Sequence, residues 1–263
     1  MMNNESANNS TLIIEDSFPV LTVTLNRPKV ANAMNLHMVE DLMQVMEKVA
    51  DKQYRVLVIQ GSAGNFCAGG DIKDMQTTKG DAKALTQLNR AFGLMIEKAN
   101  TLPAVVICLL EGAVLGGGFG LACVSDVAIA TNNAKFALPE TSLGIIPAQI
   151  APFVVERIGL TQARRLALVG NRIDGEEALR LGLVHQLAND NEELAKQLAK
   201  TVSLVLKCAP NANQTTKTLL HQVSEQSMTG LLDQAAIDFA SAVAGEGREG
   251  AAAFMQKRSP NWA

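Results

Sequence analysis

Two glycine-bearing turns and one glutamate are the residues best suited to chemistry. The first turn is Gly64-Asn65-Phe66-Cys67-Ala68-Gly69-Gly70-Asp71-Ile72-Lys73, and the second is Glu111-Gly112-Ala113-Val114-Leu115-Gly116-Gly117-Gly118-Phe119-Gly120. Small residues let the backbone approach a ligand closely, and unpaired N–H groups at a helix start attract negative charge. Two such turns side by side can aim two N–H groups at one oxygen. That arrangement is an oxyanion hole, which stabilises an enolate or a tetrahedral intermediate. Taken singly, each turn serves as well for tight packing alone; the pair, in this order, points to chemistry. Neither turn reads GxGxxG or GxxxxGK[ST], so the dinucleotide and nucleoside-triphosphate signatures are missing. No GxSxG elbow is present either, which argues against a serine hydrolase.

The glutamate is Glu140, in Phe136-Ala137-Leu138-Pro139-Glu140, followed by Thr141-Ser142-Leu143-Gly144. A carboxylate beside apolar surface has its proton affinity raised, which suits general acid–base work. Considered alone, a solvated loop residue or a helix cap is the simpler account of it. Asp71 and Asp126 sit at a turn or helix start, where capping is the default.

The elements that must position these residues are short strands and helices. Val20–Leu25 has the β-branched content of a strand, ended by Asn26-Arg27-Pro28. Residues 36–50 repeat apolar side chains at helical spacing. Residues 55–60 and 104–110 read as buried strands, each running into one of the two turns as a strand–turn–helix unit. Residues 82–98 read as a helix, and 127–130 and 136–138 as short strands. From about Gln149 the pattern becomes nearly all helical, over 150–158, 161–169, 175–181, 191–206, 211–223, Met228–Ala244 and 247–256. The expected fold class is therefore an α/β core with a helical C-terminal region.

Composition narrows the function classes. With 263 residues and 48% apolar side chains the chain can bury a large core. Its 23 basic and 26 acidic residues leave a net charge of −3, which gives no global attraction for nucleic acid or an anionic membrane. Aromatic residues are 4%, too few for a base-stacking platform. Cys67, Cys108, Cys123 and Cys208 form no CxxC pair, and His37, His185 and His221 are scattered. Free thiols in a reducing compartment, and no metal centre, are the expectation. Residues 1–10 are polar and Asn-rich and read as a disordered tail, not a signal peptide. The apolar run 102–124 carries Glu111 and Gly116-Gly117-Gly118, which argues against a membrane span. A cytoplasmic protein is expected.

Taken together, Asn65–Lys73, Glu111–Gly120 and Phe136–Glu140, with the early Leu25–Asn35 segment (LNRPKVANAMN), resemble the enoyl-CoA hydratase/isomerase (crotonase) superfamily. The resemblance runs from about Thr11 to the C-terminus. It implies a spiral of ββα units over 11–200, a helical trimerisation region over 201–263, homo-trimers or homo-hexamers, and acyl-CoA thioester substrates. No cofactor is implied, because coenzyme A is part of the substrate. By motif, the oxyanion donors fall on the N–H groups of Gly70 and Gly117. Ala31, Ala68, Asp71, Ile72, Lys73 and Gly116 fall along the CoA path. The near-terminal Phe-Met-Gln-Lys segment places Phe254 and Lys257 at the adenine and phosphates, reaching the CoA of a neighbouring subunit.

Hydratases of this family use two glutamates around a water. One falls on Glu140; the other falls on Gly120, so that carboxylate is missing and space is expected beside the acyl group. Three readings follow: hydration by Glu140 alone, 3-enoyl to 2-enoyl isomerisation, or a non-catalytic acyl-CoA binder. Residues 143–155 (LGIIPAQIAPFVV) resemble the hydratases of branched glutaconyl-CoA esters, methylglutaconyl-CoA and isohexenylglutaconyl-CoA, which favours the hydratase. The distal carboxylate of such a substrate needs a cationic or amide partner, for which Arg90 and Gln149 are candidates by type; ordinary structural roles fit them as well.

Overall fold

The computed structural model describes residues 10–77 and 80–262. The expected N-terminal tail lies outside the described residues, apart from Ser10. Eight strands and ten helices are described: β1 (Leu12–Ser17), β2 (Val20–Leu25), α1 (Leu36–Asp51), β3 (Val56–Gly61), α2 (Ile72–Thr77), α3 (Ala82–Thr101), β4 (Val105–Leu110), β5 (Ala113–Leu115), α4 (Gly117–Val124), β6 (Val127–Thr131), β7 (Lys135–Ala137), α5 (Ala151–Val169), α6 (Gly175–Arg180), β8 (Gln186–Ala188), α7 (Asn191–Lys207), α8 (Pro210–Gln222), α9 (Met228–Ala244) and α10 (Glu246–Met255). Short 3-10 turns cover Pro28–Val30 and Glu140–Leu143.

Six strands form one sheet in the order β1-β2-β3-β4-β6-β8, antiparallel between β1 and β2 and parallel throughout the rest. β5 and β7 make a separate parallel pair. Single-residue bridges at Met34↔Gly70, Cys67↔Val114 and Phe136↔Ile173 continue that second layer. A strand of the large sheet is thus followed by a strand or bridge of the small one and then a helix, which is the repeating ββα unit.

Alternation along the parallel strands explains two cores. Leu57, Ile59, Val106, Cys108, Leu110, Ala128 and Ala130 face the main core, with α1, α3 and α4. Val56, Val58, Ile107, Leu109 and Ile129 face the other way and pack with Leu194, Leu198, Val202 and Val205 of α7. α7 runs through residue 200, where the spiral core was expected to end.

Three expectations are corrected. Residues 150–158 and 161–169 form one element, α5, bent at Gly159, whose φ of 74° and ψ of 155° break the helical path. The nearly all-helical last third contains a strand, β8, hydrogen-bonded to β6. Asp126 caps no helix: its carboxylate accepts from the Val106 N–H and the Lys217 ammonium, both at 2.7 Å, tying α8 to the start of β4. Asp71 does cap, accepting from the Lys73 N–H at 3.0 Å.

The last three helices bury few of their own residues. α8 buries none, α9 only Leu231 and α10 only Ala253. Leu220, Leu232, Ile237, Phe239 and Val243 are exposed apolar side chains.

Candidate active site

The first turn leaves β3 and is stitched into place from both sides. Asn32, fully buried, donates to the carbonyls of Ser62 and Asn65 and accepts from the Arg27 N–H and the Ser62 hydroxyl. The Ala68 N–H donates to the Ala31 carbonyl at 2.9 Å, which sets these two predicted CoA-path residues side by side. Met34 brackets Gly70: its N–H donates to Gly69 and its carbonyl accepts from Asp71, both at 2.8 Å. Arg27 pairs with Asp71 at 2.8 Å. Partial burial would raise the Asp71 carboxyl, but Arg27 and the Lys73 N–H outweigh it and hold it below the usual range. Ile72 and Lys73 open α2 and are exposed.

The second turn is locked to the first. Phe66 N–H donates to Glu111 O, Cys67 N–H to Ala113 O and Leu115 N–H to Cys67 O, at 2.8, 2.8 and 2.9 Å. Gly116 then takes φ 50° and ψ −116°, a conformation an L side chain rarely adopts, and α4 begins at Gly117. A Cβ on Gly69 would stand 3.3 Å from the Leu115 carbonyl oxygen, so the backbones of the two turns run against each other. Among the described residues, no acceptor is found for the N–H of Gly70 or of Gly117. The Gly117 N–H is a first-turn helix donor, which has no intrahelical partner by construction.

Glu140 reaches the same place from β7. The Gly116 N–H donates to the Ala137 carbonyl at 3.1 Å, drawing the end of β7 and the following 3-10 turn against the second glycine turn. Glu140 Oε1 lies 3.0 Å from where a Cβ on Gly116 would stand. The side chain is half-buried, and among the described residues its buried Oε2 finds no partner. Burial raises its carboxyl above the usual range, opposed only by its own backbone N–H. A carboxyl whose proton affinity is raised in this way is suited both to take up and to return a proton.

Gly120, by contrast, does not open space. It is buried one turn into α4, and a Cβ there would stand 2.3 Å from Ile150 Cγ2 and 3.5 Å from Ile96 Cδ1. The expected room beside the acyl group is filled by Ile150. This contact joins residues thirty positions apart, and only the fold shows it.

Gln149, next to Ile150 in the chain, and Arg90 do come together. Arg90 Nη1 donates to Gln149 Oε1 at 3.4 Å, Gln149 Nε2 to Asn89 at 2.9 Å, and Arg90 Nη2 pairs with Glu97 at 2.8 Å. Phe254 and Lys257 are not joined to the two turns by any hydrogen bond or ion pair among the described residues. Phe254 is 85% exposed on α10, and Lys257 follows that helix. Asn32 and Met34 do not stand out by residue type; their place within Leu25–Asn35 is the available signal.

The family described as enoyl-CoA hydratase/isomerase matches residues 15–263. The solved structure of Pseudomonas aeruginosa AtuE superposes with a TM-score of 0.95 at 57% identity, over 97% of this chain and all of that one. A probable enoyl-CoA hydratase of Bacillus subtilis is 34% identical over 97% of this chain and 98% of its own length. A 2,3-dehydroadipyl-CoA hydratase of Escherichia coli is 33% identical over 96% of this chain and 98% of its own.

Proposed function

The chain belongs to the enoyl-CoA hydratase/isomerase family, and from that premise we propose that it adds water across the 2,3-double bond of an enoyl-CoA with a branched, glutaconyl-type acyl chain. The observation that carries the reading is Glu140. It is a half-buried carboxyl with a free oxygen, set against the turn that presents the Gly117 N–H and beside the turn that presents that of Gly70.

In this reading the N–H groups of Gly70 and Gly117 hold the thioester oxygen as it gains enolate charge. Removing one such donor in hydrolases costs about 2.7–4 kcal/mol; here both are backbone groups that no side-chain change deletes. Glu140 takes a proton from water while the hydroxide oxygen bonds to C3. The double-bond electrons move toward the held oxygen, and Glu140 returns the proton to C2. One molecule of water is added, and Glu140 ends as it began. With no carboxylate at Gly120, a single residue performs both transfers, which its raised proton affinity suits.

The CoA moiety runs past Ala31, Ala68, Asp71, Ile72, Lys73 and Gly116. Phe254 and Lys257 meet the adenine and phosphates of CoA in a neighbouring subunit of a trimer or hexamer. The C-terminal region, residues 201–263, builds that assembly through the apolar side chains its helices leave exposed. Among the described residues no helix is long and apolar enough to cross a membrane, and a cytoplasmic location fits the reading. Arg90 and Gln149 receive the distal carboxylate. The Escherichia coli relative named for a dehydroadipyl thioester, itself a dicarboxylic acyl group, makes such a substrate reasonable.

One observation favours a second reading. Ile150 occupies the place beside Gly120, so no second carboxylate steadies a water there, and Glu140 would instead carry a proton between carbons, from C2 to C4, in 3-enoyl-CoA isomerisation.

The deciding experiment is turnover across crotonyl-CoA, 3-methylglutaconyl-CoA, a longer terpenoid glutaconyl-CoA and a 3-enoyl-CoA, with products read by mass. Gain of one water on a glutaconyl ester, at least about 100-fold lower in Glu140→Ala, is the expected result. An unchanged mass with a moved double bond makes the protein an isomerase. Binding without turnover, unaffected by Glu140→Gln, makes it an acyl-CoA binder.

A further inference from the structure

Cys67 lies where the two glycine turns meet, and the proposed mechanism leaves it without a role. It is fully buried. Its sulfur accepts the Gly69 N–H at 3.3 Å and lies 3.6 Å from the Gly69 carbonyl oxygen, to which the thiol donates. Gly69 immediately precedes Gly70. On the other side, a Cβ on Gly118 would stand 2.7 Å from Cys67 Cβ and 3.3 Å from its sulfur, so Gly118 is bare where Cys67 backs onto it. Gly118 immediately follows Gly117. The backbone of Cys67 makes the bridge to Val114 between the same turns. Met34, also fully buried, buttresses the arrangement: its backbone brackets Gly70, and its Cε reaches to 2.7 Å from where a Cβ on Gly117 would stand.

We infer that Cys67, buttressed by Met34, is a positioning residue that fixes the spacing of the Gly70 and Gly117 N–H groups. The inference rests on the oxyanion reading above. The thiol is suited to the task because it donates and accepts in a volume closed to water. Burial pushes it up to about 11, against the pull of backbone groups of Gly69, Met34 and Gly118, so it stays protonated and inert as a nucleophile. Its hydrogen bonds to Gly69 hold the sulfur within the first turn, and the sulfur's packing on Gly118 is what sets the gap to the second. Displacements well below 1 Å matter, because a misplacement of about 1 Å can cost about 100-fold in rate.

The test uses cinnamoyl-CoA as a bound probe, whose conjugated carbonyl absorbs further to the red when its oxygen is held by hydrogen bonds, and turnover of the best thioester from the panel. Cys67→Ala is expected to lower kcat at least about 10-fold with KM within about two-fold, the mark of an interaction lost in the transition state. It is also expected to shrink the red shift. Cys67→Ser, which keeps a donor and an acceptor on a shorter bond, is expected to fall between wild type and Cys67→Ala on both readouts. Wild-type kcat and red shift in Cys67→Ala, or in Cys67→Ser where Cys67→Ala does not fold, overturn the inference. A wild-type protein that binds cinnamoyl-CoA with no red shift overturns the oxyanion reading, and this inference with it.

Discussion

Replacing Gly120 by alanine tests whether Ile150 has taken the place of the missing carboxylate. The new Cβ would stand 2.3 Å from Ile150 Cγ2 and 3.0 Å from Ile150 Cβ, whereas carbon atoms rest at about 3.5–4.0 Å. Ile150 is 6% exposed, and Ile96 closes the space on another side, so the clash is not relieved by a small rotation into solvent. Overpacking of this kind costs about 1–3 kcal/mol, and a contact this short belongs at the upper end. Alanine in a helix interior recovers about 1 kcal/mol over glycine, which leaves a net loss of about 2 kcal/mol. Ile150→Ala alone costs about 2–5 kcal/mol through the cavity it opens. In that background the Cγ2 contact is gone and only the Cβ at 3.0 Å remains, so most of the clash is relieved while the helix gain persists, giving a coupling of about 2–3 kcal/mol, within the range for touching residues. Urea unfolding of the four proteins at one fixed protein concentration measures this. A Gly120→Ala protein as stable as wild type, or one that loses as much with Ala at 150 as with Ile, refutes the packing argument. Gly120→Glu, which needs still more room, is then no route to a two-carboxylate site.

Glu140 links activity to stability. Its carboxyl is raised in the folded chain by burial, so the folded state holds the proton more tightly than the unfolded one, and stability falls as pH rises through the window between the two values. Glu140→Gln removes that loss. Its urea midpoint is expected to match wild type below the ordinary glutamate range, about 4.3, and to exceed it increasingly as pH rises, until the folded carboxyl is fully ionised. A gap that does not change with pH, or that reverses, defeats the expectation. Gly116→Ala forces a side chain into φ 50° and ψ −116° and sets its Cβ 3.0 Å from Glu140 Oε1; kcat is expected to drop about 10-fold or more through displacement of the carboxylate. Steady-state rates at the wild-type level would show that Glu140 has slack.

The long, periodic elements were legible in the sequence, and so were the two turns. α1 repeats Met38, Val39, Leu42, Val45, Met46 and Val49 on one buried face, which is a signal any window of the sequence contains. The strands leading into the turns carry the unbroken apolar runs Val56–Ile59 and Val105–Leu110 because parallel strands are covered on both sides. β1 gave no such signal: as an edge strand it buries Leu12 and exposes the other five residues. β5 and β8 have three residues each and exist because a neighbouring strand supplies the hydrogen bonds. In the site, Glu140 and the glycines stood out by type and setting. The filling of Gly120 by Ile150, the meeting of Arg90 with Gln149, and the place of Cys67 between the turns all join residues far apart in the chain. A local pattern does not encode such contacts.

The strand order of the large sheet, β1-β2-β3-β4-β6-β8, rises steadily along the chain. A chain emerging from the ribosome therefore never has to insert a strand between two that are already paired. Each new strand finds its partner already waiting at one edge, and that edge moves outward as synthesis proceeds. Every intermediate of such an assembly presents an open parallel edge, the feature that invites mispairing with other chains. The last strand added, β8, has only three residues, and α7 follows it at once and packs on the sheet. The growing edge thus closes on a stub too short to recruit another strand, with a helix arriving to cover the face beside it.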